Sequence, residues 1–411
     1  MPPVDTSIFV FPTDLDGEGV ETVLDNVQHR AGSDGITLAA VYHEARDIFP
    51  HNPRGRVQFL EGGVAYFRPD LARYRALALQ PRTARLVEST DVLAASVAAA
   101  DRRGLAVHAW TVFLHVDWTH DPHPAQSERT AFGDPLLTEL CPANSDVRAY
   151  VAALAGDIAR TGVRTILAES LHYHPLEHGY HHERDFVPLG PRARFLLGLC
   201  FCEHCLEAAR AHGVDSEAVR RFATAELERS FSGEPERADA DLTLEEAREL
   251  AGGELSGYLD ARSERVASLV GQVAAAAEAE GARLAFLDAS GAVQGYATGR
   301  PEGEPAPSIA WRLGVDIAAI ADACGSVEAI AYAADPARVR LDLEAYRALL
   351  PEDATLAAAL RPMPPDCSSA ENLAAKLRVA RELDLERVDL YHYGLAPLAA
   401  LDRIHAALND S

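Results

Sequence analysis

Three cysteines lie within six residues, Cys200, Cys202 and Cys205, in a C-x-C-x-x-C run. This spacing lets three thiolates converge on one ion from a single turn, and thiolate is the ligand that suits Zn²⁺ best. A closed tetrahedral site needs one more ligand. Cys141 is the first choice, with His178 or His204 behind it. Four sulfurs would make the zinc structural rather than catalytic. The plainer alternative is four free thiols, since cysteine is often simply buried.

Carboxylates supply the second candidate chemistry. The apolar run Thr165-Ile-Leu-Ala ends in Glu169, and the run Leu284-Ala-Phe-Leu ends in Asp288. A carboxylate closing an apolar strand is costly to bury without a partner or a task. On neighbouring strands, Glu169 and Asp288 would reach one substrate bond, the minimum kit for acid/base glycoside cleavage. A structural ion pair with Arg361 is the alternative for either. Aromatic and polar groups at other strand ends suit sugar rings: Tyr42, His108, Trp110, Tyr173, Tyr332, Arg361, Tyr391 and Tyr393 are candidate substrate contacts. Asp389 sits deeper, as a core carboxylate or a catalyst.

Histidines crowd two segments, His115, His120 and His123 in one and His172, His174, His178, His181 and His182 in the other. With Glu177, Glu183 and Asp185 nearby they could hold a catalytic metal, although the spacings match no zincin-type pattern. No motif supports a nucleophilic Ser or Cys or a phosphate loop.

The elements that position these groups alternate. Apolar, β-rich runs at 7–15, 35–43, 104–115, 164–171, 283–289, 328–333, 355–361 and 386–393 are separated by Ala/Leu/Arg-rich stretches with helical periodicity. Eight strands, each followed by helix, predict a (β/α)₈ TIM barrel, and no Gly-rich phosphate loop follows the first strand as an open doubly wound sheet would require. The whole chain, 1–411, reads as one barrel domain with insertions at about 117–135 and 172–281. Both insertions follow strands, so both fall on the face where barrels build their sites.

Composition narrows the partners. A net charge of −24, with Lys376 the single lysine, argues against nucleic acid and anionic membranes, which need clustered cations. No apolar run approaches a membrane span, and the N-terminus lacks a basic leader. Six cysteines, three of them bunched, fit a reducing compartment, so the expected location is the cytoplasm. Nothing speaks against a homo-oligomer.

The stretch Leu140-Cys-Pro-Ala-Asn144-Ser-Asp-Val-Arg148, then Glu169, then Cys-Phe-Cys-Glu-His-Cys, resembles a run in family 42 glycoside hydrolases and related barrels. The resemblance covers roughly residues 138–210. It implies Glu169 as general acid/base and Cys141, Cys200, Cys202 and Cys205 as ligands of a structural zinc. Two features depart from that pattern. Ala168 stands where the family has Asn, and the seventh strand, Leu356-Ala-Ala-Ala-Leu-Arg361, lacks the nucleophile Glu. Another carboxylate such as Asp288 or Asp335 then serves, or the mechanism differs, or the barrel binds sugar without cleaving it. The leading expectation is a glycoside-hydrolase-like enzyme acting on a small sugar or glycoside. The alternatives are a non-catalytic carbohydrate-binding barrel and a metal-dependent hydrolase or lyase using the histidine loops.

Overall fold

The computed structural model describes residues 4–176, 184, 186, 187, 189–232, 242–294 and 298–411. Eight parallel strands close into a barrel: β1 (Asp5–Val10), β2 (Gly35–Tyr42), β3 (Ala106–Val112), β4 (Thr165–Glu169), β5 (Arg283–Asp288), β6 (Ser326–Ile330), β7 (Thr355–Leu360) and β8 (Arg387–Leu390). Each pairs with its sequence neighbours, and β8 closes on β1 with Ser7 opposite Asp389. All eight predicted strands are therefore present.

The first is shorter than the predicted 7–15. Pro12 opens a helix, Pro12–Glu18, its fixed φ preset for the first helical turn. The Phe11 N–H donates to Asp14 Oδ2 at 2.9 Å and holds that start in place. Asp14 is fully buried, and burial pushes its carboxyl up to about 8. Two short hairpins lie outside the predicted set, Ala45–Ile48/Val57–Leu60 and Ser127–Arg129/Pro135–Leu140, and the helix that follows β8 is Ala399–Asp410.

Strand alternation divides the barrel wall. Ala39, Trp110, Leu167, Ala285, Leu287 and Ala359 face the lumen, while Ile166, Ala168, Leu284 and Phe286 face the surrounding helices. Deeper in the lumen lies a polar layer. Arg387 donates from Nη2 to Glu328 Oε2 at 2.9 Å and from Nε to Asp389 Oδ2 at 2.8 Å. Thr37 Oγ1 donates to Asp389 Oδ1 at 2.8 Å, with Ser7 Oγ 2.8 Å behind it. Asp389 is thus a satisfied core carboxylate, held low by the Arg387 guanidinium despite its burial. His108 stands in the same layer, and burial first, then the Arg387 charge, pushes its imidazole down to about 3.

The long segment between β4 and β5 builds its own small core. Helices Pro191–Leu197, Glu203–Ala211 and Ser216–Phe231, with Phe201 from the turn between the first two, pack Leu196, Phe201, Val219 and Leu227 against Leu255 and Tyr258 of helix Glu254–Glu278. The last of these helices also packs on Ser145–Ala159 and Ile317–Cys324, the position of a barrel helix between β4 and β5. The inserted part is the segment ahead of it. Among the described residues no helix is long and apolar enough to cross a membrane.

Candidate active site and cysteine centre

A cleft of about 650 Å³ opens at the C-terminal ends of the strands. Glu169, at the end of β4, shares the inward parity of Leu167 and enters it. Ser170 follows with φ +55°, a left-handed turn uncommon outside glycine that takes the chain off the strand. Trp110 of β3 also faces inward, and its indole Nε1–H donates to Glu169 Oε2. Burial raises the Glu169 carboxyl above its ordinary range, while the Trp110 N–H and the charges of His115 and His174 pull the other way. A raised carboxyl among aromatics is the environment a general acid requires.

Of the predicted sugar contacts, Tyr42, Trp110, Tyr332, Arg361 and Tyr391 line this cleft. Phe9 packs edge-on to Trp110 and Tyr391 at ring distances of 4.9 and 5.5 Å. Arg361 lies over the Tyr332 ring at 4.9 Å and is held by Asp366 at 2.7 and 2.9 Å.

Four predicted residues stand elsewhere. Asp288 has the parity of Phe286 and so faces the helices, where it accepts from Ser290 Oγ at 3.0 Å and from the Tyr346 hydroxyl. Burial raises it to about 6, but it is not in the cleft, and its pairing with Glu169 across one substrate bond is not what the barrel builds. His108 lies in the polar layer below. Tyr393 turns out of the lumen, donating to Glu18 Oε2 at 2.8 Å and accepting from Asn26 Nδ2 at 2.9 Å. Tyr173 belongs to the cysteine centre, its hydroxyl 3.3 Å from Cys205 Sγ.

The cleft also contains residues that the sequence did not single out. Asp47, on the hairpin after β2, is the other carboxylate among the described lining residues, and burial raises it. Arg194 and Phe195 come from helix Pro191–Leu197, and Arg312 from the turn Ala306–Leu313. His172 and His174 form one wall. His174 Nδ1 is 2.7 Å from Glu139 Oε2 and 3.7 Å from Glu128 Oε1, and these carboxylates raise it to about 10 against the cost of burial. Burial and the neighbouring His174 charge lower His172 to about 3. The further histidines His178, His181 and His182, with Glu177, Glu183 and Asp185, lie outside the described residues.

Cys141, Cys200, Cys202 and Cys205 converge in a fully enclosed cluster. Cys141 Sγ lies 3.4 Å from Cys202, 3.5 Å from Cys205 and 3.8 Å from Cys200, too far for disulfides. Ligands at about 2.3 Å around a tetrahedral ion stand about 3.8 Å apart, so the cage fits a metal. The Arg129 N–H at 3.4 Å from Cys200 Sγ and the Tyr173 hydroxyl supply polar contacts to the sulfurs. His204 is not needed in this set.

No protein-family model matches the chain, and no curated protein matches it. Solved structures do. The catalytic domain of β-amylase from Paenibacillus polymyxa aligns over 97% of this chain and 94% of its own, with a TM-score of 0.51 and 11% identity. A β-galactosidase from the psychrophilic Marinomonas ef1 aligns over 98% of this chain with a TM-score of 0.54 and 10% identity. α-L-Fucosidase isoenzyme 2 from Paenibacillus thiaminolyticus aligns over 99% with a TM-score of 0.53 and 13% identity. The chain spans 59% of that β-galactosidase and 49% of that fucosidase. These structural neighbours are glycoside hydrolases, and what this chain shares with them is the eight-stranded barrel.

Proposed function

We propose that this chain is a glycoside-hydrolase-like enzyme acting on a small sugar or glycoside, with Glu169 protonating the leaving oxygen. The observation that carries the reading is Glu169 itself: a carboxyl raised by burial, bonded by Trp110, in a cleft walled by Phe9, Tyr42, Tyr332 and Tyr391. Aromatic faces stack on sugar rings, and in this reading Arg361 bonds ring hydroxyls through the guanidinium edge that Asp366 does not hold. β7 brings no carboxylate, so Asp47 takes the place of the second acid/base partner. The test is turnover of a panel of aryl and natural glycosides. Cleavage of at least one member by the wild type, lost in Glu169→Gln, supports the reading. Sugar binding without any cleavage would replace it with the carbohydrate-binding barrel, a reading favoured by the position of Asp47 on a hairpin outside the barrel wall.

The cysteine centre holds a structural Zn²⁺ in this reading. Metal analysis of protein purified without added zinc is expected to give one tightly held zinc per chain. Cys202→Ser should lower the melting temperature and release it, because the cage ties the segment after β4 to Cys141 at the head of helix Ser145–Ala159. A zinc content near zero would refute the assignment.

A further inference from the structure

A second cluster of ligand atoms stands at the rim of the cleft, apart from the cysteines. One ligand atom each from His43, His115 and Asp117 lie within 4.8 Å of one another. His115 Nε2 is 3.4 Å from Asp117 Oδ1. Two ligands at about 2.1 Å from a tetrahedral ion subtend about 3.4 Å, so this pair already has the spacing of a shared cation.

The surroundings fix both imidazoles as a metal site requires. His115 Nδ1 bonds Glu139 Oε1 at 2.9 Å, and His43 Nδ1 bonds the Glu44 carbonyl at 2.9 Å. With Nδ1 held by a carboxylate or a carbonyl, Nε2 is the nitrogen left to take an ion in exchange for any proton it carries, the usual outer arrangement of histidine ligands. Asp117 is oriented in turn by the Glu44 N–H, which donates to Oδ2 at 2.7 Å. Gly62 backs the carboxylate closely: a Cβ there would meet Asp117 Cβ at 2.8 Å and Oδ2 at 3.2 Å.

We infer that His43, His115 and Asp117 form a second metal centre that binds a divalent first-row transition cation such as Zn²⁺. Two imidazoles and one carboxylate leave at least one coordination position open. His43 lines the cleft, so that position faces the substrate space and takes a water or a substrate hydroxyl. The centre does not depend on the glycosidase reading, because it is tested by binding alone.

The experiment is calorimetric titration of Zn²⁺ into protein whose cysteine centre is already filled. One further equivalent per chain is expected. His43→Ala and Asp117→Asn should each weaken it at least tenfold, with melting temperatures near the wild-type value. Co²⁺ added to the same zinc-filled protein should give weak visible bands without the intense thiolate charge transfer of a cysteine site. No further equivalent in the wild type, full retention of it in both variants, or a Co²⁺ spectrum dominated by thiolate absorption would each overturn the proposal. The wild-type titration decides the matter even if a variant misfolds.

Discussion

Glu169→Gln is expected to cut hydrolysis of natural glycosides by about 100- to 10,000-fold, the usual contribution of a positioned general acid. Substrates with a good leaving group should be largely spared at their bond-breaking step, since they need little protonation. The pH profile carries the finer signature. The acid acts only while protonated, so the wild-type rate should fall as pH rises through the raised Glu169 value. Trp110 donates to the ionised carboxylate and so holds that value down. Trp110→Phe should therefore move the basic limb to higher pH, whatever it does to KM. A limb that stays in place in Trp110→Phe and vanishes in no Glu169 variant would remove Glu169 from the acid's role.

Arg387→Met is expected to cost about 3–5 kcal/mol of stability, the range for stripping one partner from a buried ion pair. Glu328 and Asp389 have no exposure at all, and Arg387 faces both. Without the guanidinium, two carboxylates stay in the lumen beside Thr37 Oγ1 and His108. Chemical denaturation measures the loss. Adding Glu328→Leu and Asp389→Leu to the same variant should recover most of it, because an apolar layer of similar volume replaces the charged one. A single variant as stable as the wild type would mean that this network contributes nothing to the fold.

The barrel was legible because its strands are covered on both faces and read as continuous apolar runs between helical stretches. That same property hides parity. With both faces apolar, nothing in Leu-Ala-Phe-Leu-Asp288 says which side the aspartate takes, and it is Leu287 that enters the lumen. In β4 the identical signal put Glu169 inside. Tyr393 failed for a related reason: it lies past the end of β8, where strand alternation no longer governs direction. Asp47, Arg194 and Arg312 were invisible because they come from a short hairpin, a helix and a turn that reach the cleft only through tertiary packing. The cysteine cage was the most legible feature, since three of its four members are neighbours in sequence.

The buried acids and the Glu139–His174 pair give folding a proton inventory of its own. At neutral pH, Asp14 is held protonated in the fold (about 8) and His174 is held charged (about 10), whereas the unfolded chain keeps the first ionised and the second mostly neutral. Both groups bind more protons folded than unfolded between about pH 6.5 and 8, so their contribution to stability declines as pH rises across that window. Taken by themselves, these two groups offset about two of the 24 net negative charges counted along the sequence, and they take up those protons from the buffer each time the chain folds.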